Sequence, residues 1–443
     1  MRRLFGTDGV RGAFGRDLTT DLARELGRAA VVALARYERG APTFVIGRDT
    51  RASGEPLEAA LVEGITGAGG DVYLAGVEPT PAIAFLTTGL TASSGIVISA
   101  SHNPPSDNGI KFFGPLGFKL SDEIEAEIES EVTRGDGSIG RPGQVRALPE
   151  AGPDYIDHVV ETAEGARLDG MRIIVDCANG AASVAAPQAL RRLGADVFPI
   201  FAEPDGSNIN VGCGALHPEV VAAAVKAAGA DAGVAHDGDA DRALFADAEG
   251  NVIDGDQVLA ACALSMKAED RLTRDLVVAT VMTNLGFHAA MKGAGIRVVP
   301  APVGDRYVLE QMQEHGAVLG GEQSGHVIFR RHATTGDGLI TAVQFLSLAS
   351  RDGVSVADLA GRMRRFPQVL RNVEVARKES LDEASEVWEA VRASEAALDG
   401  TGRVLVRASG TEPLVRVMVE AESEEIARRH ADALAERIRA ALG

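Results

Sequence analysis

Gly95-Ile-Val-Ile-Ser-Ala-Ser101-His-Asn-Pro-Pro-Ser-Asp-Asn-Gly-Ile-Lys111 runs from an Ile/Val-rich segment straight into a turn of Ser, His, Asn, Pro and Gly. That is the pattern of a buried strand delivering a polar turn to the end of a sheet, the place where α/β proteins put their chemistry. A hydroxyl (Ser101), an imidazole (His102) and a lysine ten residues on (Lys111) converge there.

The same grammar extends along the first 330 or so residues. Strand-like runs at Thr43–Gly47, Asp71–Ala75, Gly95–Ala100, Met171–Val175, Asp196–Ile200, Leu276–Val281 and Ile296–Val299 alternate with amphipathic stretches. One such stretch is Asp21–Tyr37, with Leu22, Leu26, Ala29, Ala33 and Tyr37 spaced for one helix face. This alternation predicts α/β units with largely internal sheets. Phe44-Val-Ile-Gly-Arg-Asp, Ile173-Ile-Val-Asp-Cys-Ala-Asn-Gly and Leu276-Val-Val-Ala-Thr-Val-Met-Thr-Asn-Leu-Gly echo one another, as three similar α/β domains would. Gly/Pro-rich Gly135–Pro153, Asn251–Asp256 and the basic knot Arg362–Pro367 suggest boundaries. The last ~75 residues read as a smaller α+β module, with strands at Arg403–Arg407 and Val415–Glu420 and a helix capped by Ser423.

With 443 residues, several domains are expected. A net charge of −19 disfavours nucleic acid and anionic membranes as partners, so an anionic substrate needs a local cluster of cations and N–H groups. One Trp and 4% aromatic residues argue against stacking platforms. Three scattered cysteines (Cys177, Cys213, Cys262) suggest neither disulfides nor zinc, and the expected location is a reducing cytoplasm. The N-terminus lacks a signal-peptide core, and no apolar run reaches membrane-span length.

Three further polar loops carry candidate chemistry. His236-Asp-Gly-Asp-Ala-Asp-Arg242 puts three carboxylates at alternate positions, where mutual repulsion calls for a counter-ion. Oxygen-only ligands point to Mg²⁺, Mn²⁺ or Ca²⁺, and an EF-hand is excluded because Arg242 and Ala248 stand where it needs Gly and Glu. In Gly320-Gly-Glu-Gln-Ser-Gly-His326, Glu322, Ser324 and His326 alternate as carboxylate, hydroxyl and imidazole, a set suited to sugar hydroxyls; an ordinary hairpin turn is the competing reading. Arg407-Ala-Ser-Gly-Thr-Glu-Pro413, with Arg416 beyond, has the composition of a phosphate cradle, or of a capped turn with a surface arginine. No G-x-S-x-G elbow surrounds Ser101 and no Walker-type loop occurs, which leaves a phosphoryl carrier or a helix cap as its readings.

These four loops, in this order, resemble the α-D-phosphohexomutase superfamily over nearly the whole chain. Phe5-Gly-Thr-Asp-Gly-Val-Arg-Gly12, Ile98–Phe113, Gln323 and Val303-Gly-Asp-Arg-Tyr-Val308 resemble its glucosamine-phosphate branch; Pro105-Ser106 departs from it, where relatives often carry bulkier residues. The resemblance implies an α/β fold of three similar domains with mixed sheets plus a smaller C-terminal α+β domain around a central cleft, divided at 1–152, 153–253, 254–366 and 367–443.

It further implies an isomerase that interconverts glucosamine 6-phosphate and glucosamine 1-phosphate through phosphorylated Ser101 and a 1,6-bisphosphate, which serves as intermediate and activator, feeding UDP-N-acetylglucosamine and peptidoglycan synthesis. One Mg²⁺ per subunit is expected on Ser101, Asp237, Asp239 and Asp241. Lys111 and Arg242 are expected to add positive charge there, and His102, Arg11 or His326 to manage protons. Glu322 and Ser324 are expected to meet the sugar, and Arg407, Ser409, Gly410, Thr411 and Arg416 the idle phosphate. The alternatives are a phosphomannomutase or phosphoglucomutase of the same superfamily and a non-catalytic sugar-phosphate sensor. A homodimer is the assembly to look for, since relatives are often dimers.

Overall fold

A computed structural model describes residues 4–6, 8–38, 40–409 and 413–443. By compactness the chain divides into a large unit, residues 1–282 with 296–361, and a small one, residues 283–295 with 362–443.

The large unit holds three mixed sheets. The first orders its strands Val10–Ala13, Asp107–Phe113, Ser94–Ile98, Thr43–Arg48, Asp71–Val77 and Val145–Ala147. Alternation along the strands decides what each face packs on. Phe44, Ile46, Ile96 and Ile98 share a core with Leu26, Ala29 and Ala30 of helix Thr20–Leu34 and Leu57 and Leu61 of helix Gly54–Ala68. Val45 and Val97 face the other way, onto Ile83 and Leu86 of helix Thr80–Gly89. The second sheet runs Val252–Ile253, Ala243–Asp247, Ala232–His236, Arg172–Asp176, Asp196–Ile200. The third runs Arg297–Ala301, Leu276–Thr280, Leu319–Gly321, Val327–Phe329.

The echo noticed in the sequence has a structural basis. Thr43–Arg48, Arg172–Asp176 and Leu276–Thr280 each lie between two parallel neighbours in their own sheet. One of those neighbours in each sheet (Ser94–Ile98, Ala232–His236, Leu319–Gly321) then leads into an antiparallel return strand. The turns between these strand pairs hold Ser101, Asp237–Arg242 and Glu322–His326. Three copies of one strand–turn–strand device therefore present the three chemical loops of this unit.

The Gly135–Pro153 boundary stretch is more ordered than its composition suggests: Val145–Ala147 pairs in parallel with Asp71–Val77, and Ile139 N and Gly143 N donate to carbonyls of Ala68 and Thr66. One expectation needs correction. The polar segment after Ser101 is not all turn, because Asp107–Phe113 is a strand carrying Lys111.

The small unit is an antiparallel sheet, Gln368–Glu374, Leu414–Glu420, Arg403–Ala408, packed on helices Ser385–Leu398 and Glu424–Leu442. The Ser423 hydroxyl caps the last helix, accepting from Ile426 N at 3.3 Å, a contribution of about 1 kcal/mol. Among the described residues no helix is long and apolar enough to cross a membrane.

Candidate active site

Ser101 is 2% exposed and sits at φ +52°, the left-handed region that a non-glycine residue enters at a cost of about 1–3 kcal/mol. Its Oγ donates to Asp237 Oδ2 at 2.7 Å and lies 3.3 Å from His102 Nδ1. Its backbone N–H donates to Ser99 Oγ (2.9 Å), and the Ser99 hydroxyl donates to buried Asp49 (2.6 Å).

Asp237 belongs to the loop that follows strand Ala232–His236. His236 Nδ1 bonds the Arg242 carbonyl at 2.9 Å and closes the loop; burial pushes its pKa to about 4. Ala240, at φ +57°, turns the backbone between the last two aspartates. The carboxylates of Asp237, Asp239 and Asp241 converge, with one oxygen of each within 4.8 Å of the others. Asp239 Oδ1 and Asp241 Oδ1 are buried without a hydrogen-bond partner. Burial, then the neighbouring carboxylates, raise the pKa of Asp237 well above the ordinary value, and burial with Asp239 raises that of Asp241. Burial pushes Asp239 the same way, but Lys111, Thr80 and Arg11 together outweigh it and hold that group low. Oxygen-only donors, two open oxygens and excess negative charge fit a hard divalent cation.

Cationic side chains surround this ring. Lys111 Nζ lies 2.9 Å from Asp239 Oδ2 and 3.2 Å from Asp8 Oδ2. Burial works against its charge, yet Asp239 and Asp8 outweigh burial and raise its pKa. Arg242 Nε lies 3.8 Å from both Asp237 Oδ2 and Asp241 Oδ1. Arg11, on strand Val10–Ala13, pairs with Asp8 and reaches the Ala100 carbonyl at 3.4 Å. Burial, then the charges of Arg242 and Arg11, push His102 down to about 4.

The third-sheet loop is held by Gly304 N, which donates to Glu322 Oε1 at 2.9 Å. Ser324 Oγ and both ring nitrogens of His326 are buried without a hydrogen-bond partner, and His326 Nε2 lies 3.9 Å from Asp305. Gly336 leaves the His326 ring its space: a Cβ there would come within 2.2 Å of Nε2.

In the small unit, Arg407 stands opposite Arg416 across the antiparallel pair. Like charges so placed repel unless an anion joins them. Burial, then Arg416, lower the Arg407 pKa. Ser409 N closes the turn onto the Leu414 carbonyl, and Lys378 Nζ donates to the Ser409 carbonyl at 2.9 Å. Gly410 and Thr411 lie outside the described residues.

Four family profiles of phosphoglucomutase/phosphomannomutase match the chain: alpha/beta/alpha domain I at residues 2–138, domain II at 153–250, domain III at 254–366 and the C-terminal domain at 370–437. The phosphoglucosamine mutase of Pelotomaculum thermopropionicum is 54% identical over 428 residues, 96% of each chain. That of Symbiobacterium thermophilum is 52% identical over 448 residues, the whole of both. The chain belongs to the phosphoglucosamine mutase family. It is therefore an isomerase of the α-D-phosphohexomutase superfamily, with that superfamily's four-domain α/β architecture. A solved phosphoglucomutase/phosphomannomutase family protein from Burkholderia thailandensis superposes with a TM-score of 0.83 at 26% identity, covering 100% of this chain and 98% of that one.

Sequence reasoning missed the residues that hold the enzyme's reactive groups in place. Thr80 donates through Oγ1 to Asp239 Oδ2 (2.7 Å), and its backbone N–H to the Asp239 carbonyl (2.9 Å). Asp8 joins Lys111, Arg11 and Lys119, and Lys119 continues to Asp305, beside His326. Asp49, Arg51 and Asn210 hold the Ser101 turn. Their signal was faint, although a lysine is informative in a chain with only six, and Lys119 is one of them.

Proposed function

We propose that the enzyme interconverts glucosamine 6-phosphate and glucosamine 1-phosphate, with Ser101 as phosphoryl carrier and glucosamine 1,6-bisphosphate as intermediate. The observation that carries this reading is the Ser101 hydroxyl, 2.7 Å from Asp237 in a ring of three buried carboxylates with two open oxygens. In the first half-reaction the Oγ–P bond of phosphoserine 101 breaks and a P–O bond forms to the free hydroxyl of the sugar phosphate. His102, Arg11 and His326 are the candidates to take up that hydroxyl's proton, and a proton passes to the Ser101 oxygen as it leaves. The bisphosphate turns end for end, and Ser101 Oγ takes back the other phosphoryl group, giving up its hydroxyl proton as the released sugar oxygen gains one. Lys111 and Arg242 stabilise negative charge around the group in transfer. A divalent cation, Mg²⁺ in this reading, would be held by Asp237, Asp239, Asp241 and a Ser101 oxygen, and would neutralise charge on the transferring group.

Glu322 and Ser324 would bond the sugar hydroxyls, and Arg407, Ser409, Gly410, Thr411 and Arg416 would hold the phosphate not being transferred. The division into domains at 1–152, 153–253, 254–366 and 367–443, a cytoplasmic location and supply of UDP-N-acetylglucosamine synthesis belong to the same proposal. The test is intact-mass analysis before and after incubation with glucosamine 6-phosphate. The expected result is a phosphate that maps to Ser101 and leaves with substrate. Ser101→Ala should lose turnover by at least about 10⁴-fold while retaining sugar-phosphate binding; persisting turnover would overturn the carrier role. A kcat/KM higher for glucose 1-phosphate than for glucosamine 1-phosphate would reassign the substrate.

A further inference from the structure

Behind the Ser101 turn lies one arginine with almost no contact with solvent. Arg51, 1% exposed, donates from Nε to Asp49 Oδ2 (2.8 Å) and from its terminal nitrogens to the carbonyls of Ser101 (2.9 Å), Asn103 (2.9 Å), Asp107 (3.0 Å) and Pro104. Asn210 Nδ2, from the second sheet's segment, adds bonds to the carbonyls of Ser101 (2.9 Å) and Asn103 (3.2 Å). Asp49 accepts the Ser99 hydroxyl, which in turn accepts the Ser101 N–H. Both backbone polar groups of Ser101 are therefore tied, leaving the side-chain torsion as its local freedom. Asp107 begins the strand that carries Lys111, so one guanidinium anchors the start of both the nucleophile turn and the lysine's strand.

This is costly machinery for a surface turn. A buried guanidinium is tolerated only when paired and fully bonded, and only a planar fork of five N–H donors can span a carboxylate and four carbonyls at once. A carbonyl oxygen bound to Arg51 cannot also face the reacting group, where its negative end would oppose a phosphoryl dianion. Gly238 of the aspartate loop packs against the same point: a Cβ there would lie 2.7 Å from the Ser101 carbonyl oxygen and 2.8 Å from Asn210 Nδ2.

We infer that Arg51, assisted by Asn210, is a positioning residue for phosphoryl transfer: it gathers the carbonyls of residues 101–107 and keeps Ser101 in the left-handed conformation that aims Oγ at Asp237. The inference rests on the phosphoserine reading above. It is tested in the full-length enzyme by mixing the phosphorylated form with glucosamine 6-phosphate and following loss of phosphate from Ser101 by intact mass, alongside steady-state kinetics and thermal unfolding. If the wild-type protein carries no transferable phosphate on Ser101, the functional reading itself fails. If it does, Arg51→Lys should slow transfer and kcat by about 100-fold, the scale of an ångström of misplacement, with KM within about threefold.

In Arg51→Ala, guanidinium well below denaturing concentration should restore at least tenfold of the lost rate, and methylammonium should not. Wild-type transfer in Arg51→Lys, or losses that track the unfolded fraction with no guanidinium rescue, overturn the inference. Should both Arg51 variants fail to fold, Asn210→Ala decides: slowing of about tenfold at unchanged KM supports it, and an unchanged transfer rate refutes it.

Discussion

The Ser101–Asp237 region and the Arg407–Arg416 region both handle phosphate in this reading, yet they are built on opposite plans. Around Ser101, most polar groups have a protein partner: Asp239 has Lys111 and Thr80, and the turn's carbonyls have Arg51 and Asn210. What stays open includes Asp239 Oδ1 and Asp241 Oδ1 in the carboxylate ring and, beside it, the Nε atoms of Arg242 and Arg11 and Nε2 of His236. At the proposed cradle, Arg407 and Arg416 oppose each other across a strand pair, an arrangement that an anion between them would relieve. A group that makes and breaks bonds needs fixed geometry, because transition-state stabilisation depends on dipoles that do not have to reorganise. A group that only holds a phosphate needs charge and access, and tolerates a looser frame.

Breaking the first plan should therefore cost turnover. Asp241→Asn removes one carboxylate charge from the ring while leaving Lys111 and Thr80 on Asp239. The expected outcome is a fall in kcat of about 10²–10³-fold, and removal of divalent cations by chelation should inactivate the wild-type enzyme reversibly. Steady-state assays across a Mg²⁺ titration check both. A variant with full activity and unchanged metal requirement would remove Asp241 from the site.

Breaking the second plan should cost affinity. Arg416→Ala should raise KM by about 10- to 100-fold, the range for losing a charge-assisted bond, with a much smaller change in kcat. Inorganic phosphate should raise the wild-type Tm by mass action and raise that of Arg416→Ala less. A fall in kcat equal to the change in kcat/KM would instead place Arg416 with the transition state.

The two regions also differed in how legible they were. The proposed cradle is local in sequence: Arg407 and Arg416 lie opposite each other on paired strands and Ser409 directly follows the first of them, so composition alone suggested it. Strands such as Asp196–Ile200 and the Ser423 cap were equally local and are found where periodicity placed them. Ser101, the three aspartates and the Gly320–His326 loop announced themselves as polar turns ending apolar runs. Their supports did not. Arg51 meets the turn 50 residues away, Asn210 meets it 109 away and Thr80 meets Asp239 159 away, and no short-range pattern encodes such contacts. Asp107–Phe113 escaped because Asp-Asn-Gly reads as a turn, while its pairing with Ser94–Ile98 and Val10–Ala13 makes it a strand.

Another buried carboxylate, outside the ring, measures what the cations around the ring accomplish. Asp337 caps helix Gly338–Asp352, accepting Ile340 N and the Tyr155 hydroxyl at 2.8 Å each, and Gly338 N in turn bonds the Ala240 carbonyl of the aspartate loop at 3.0 Å. Burial outweighs these bonds and raises its pKa to about 6, whereas Asp239, as deeply buried, is held low by Lys111 together with Thr80 and Arg11. A carboxyl raised in the folded state gives its full stabilisation below its unfolded pKa near 3.8 and loses it as pH rises through about 6. Relative to Asp337→Asn, the wild-type chain should therefore gain about 1 kcal/mol of stability between pH 7 and pH 5. Urea midpoints of the two proteins at the two pH values check this. A difference that stays flat, or reverses sign, would mean that the Tyr155 and Ile340 bonds outweigh burial and that Asp337 needs no cation to stay charged.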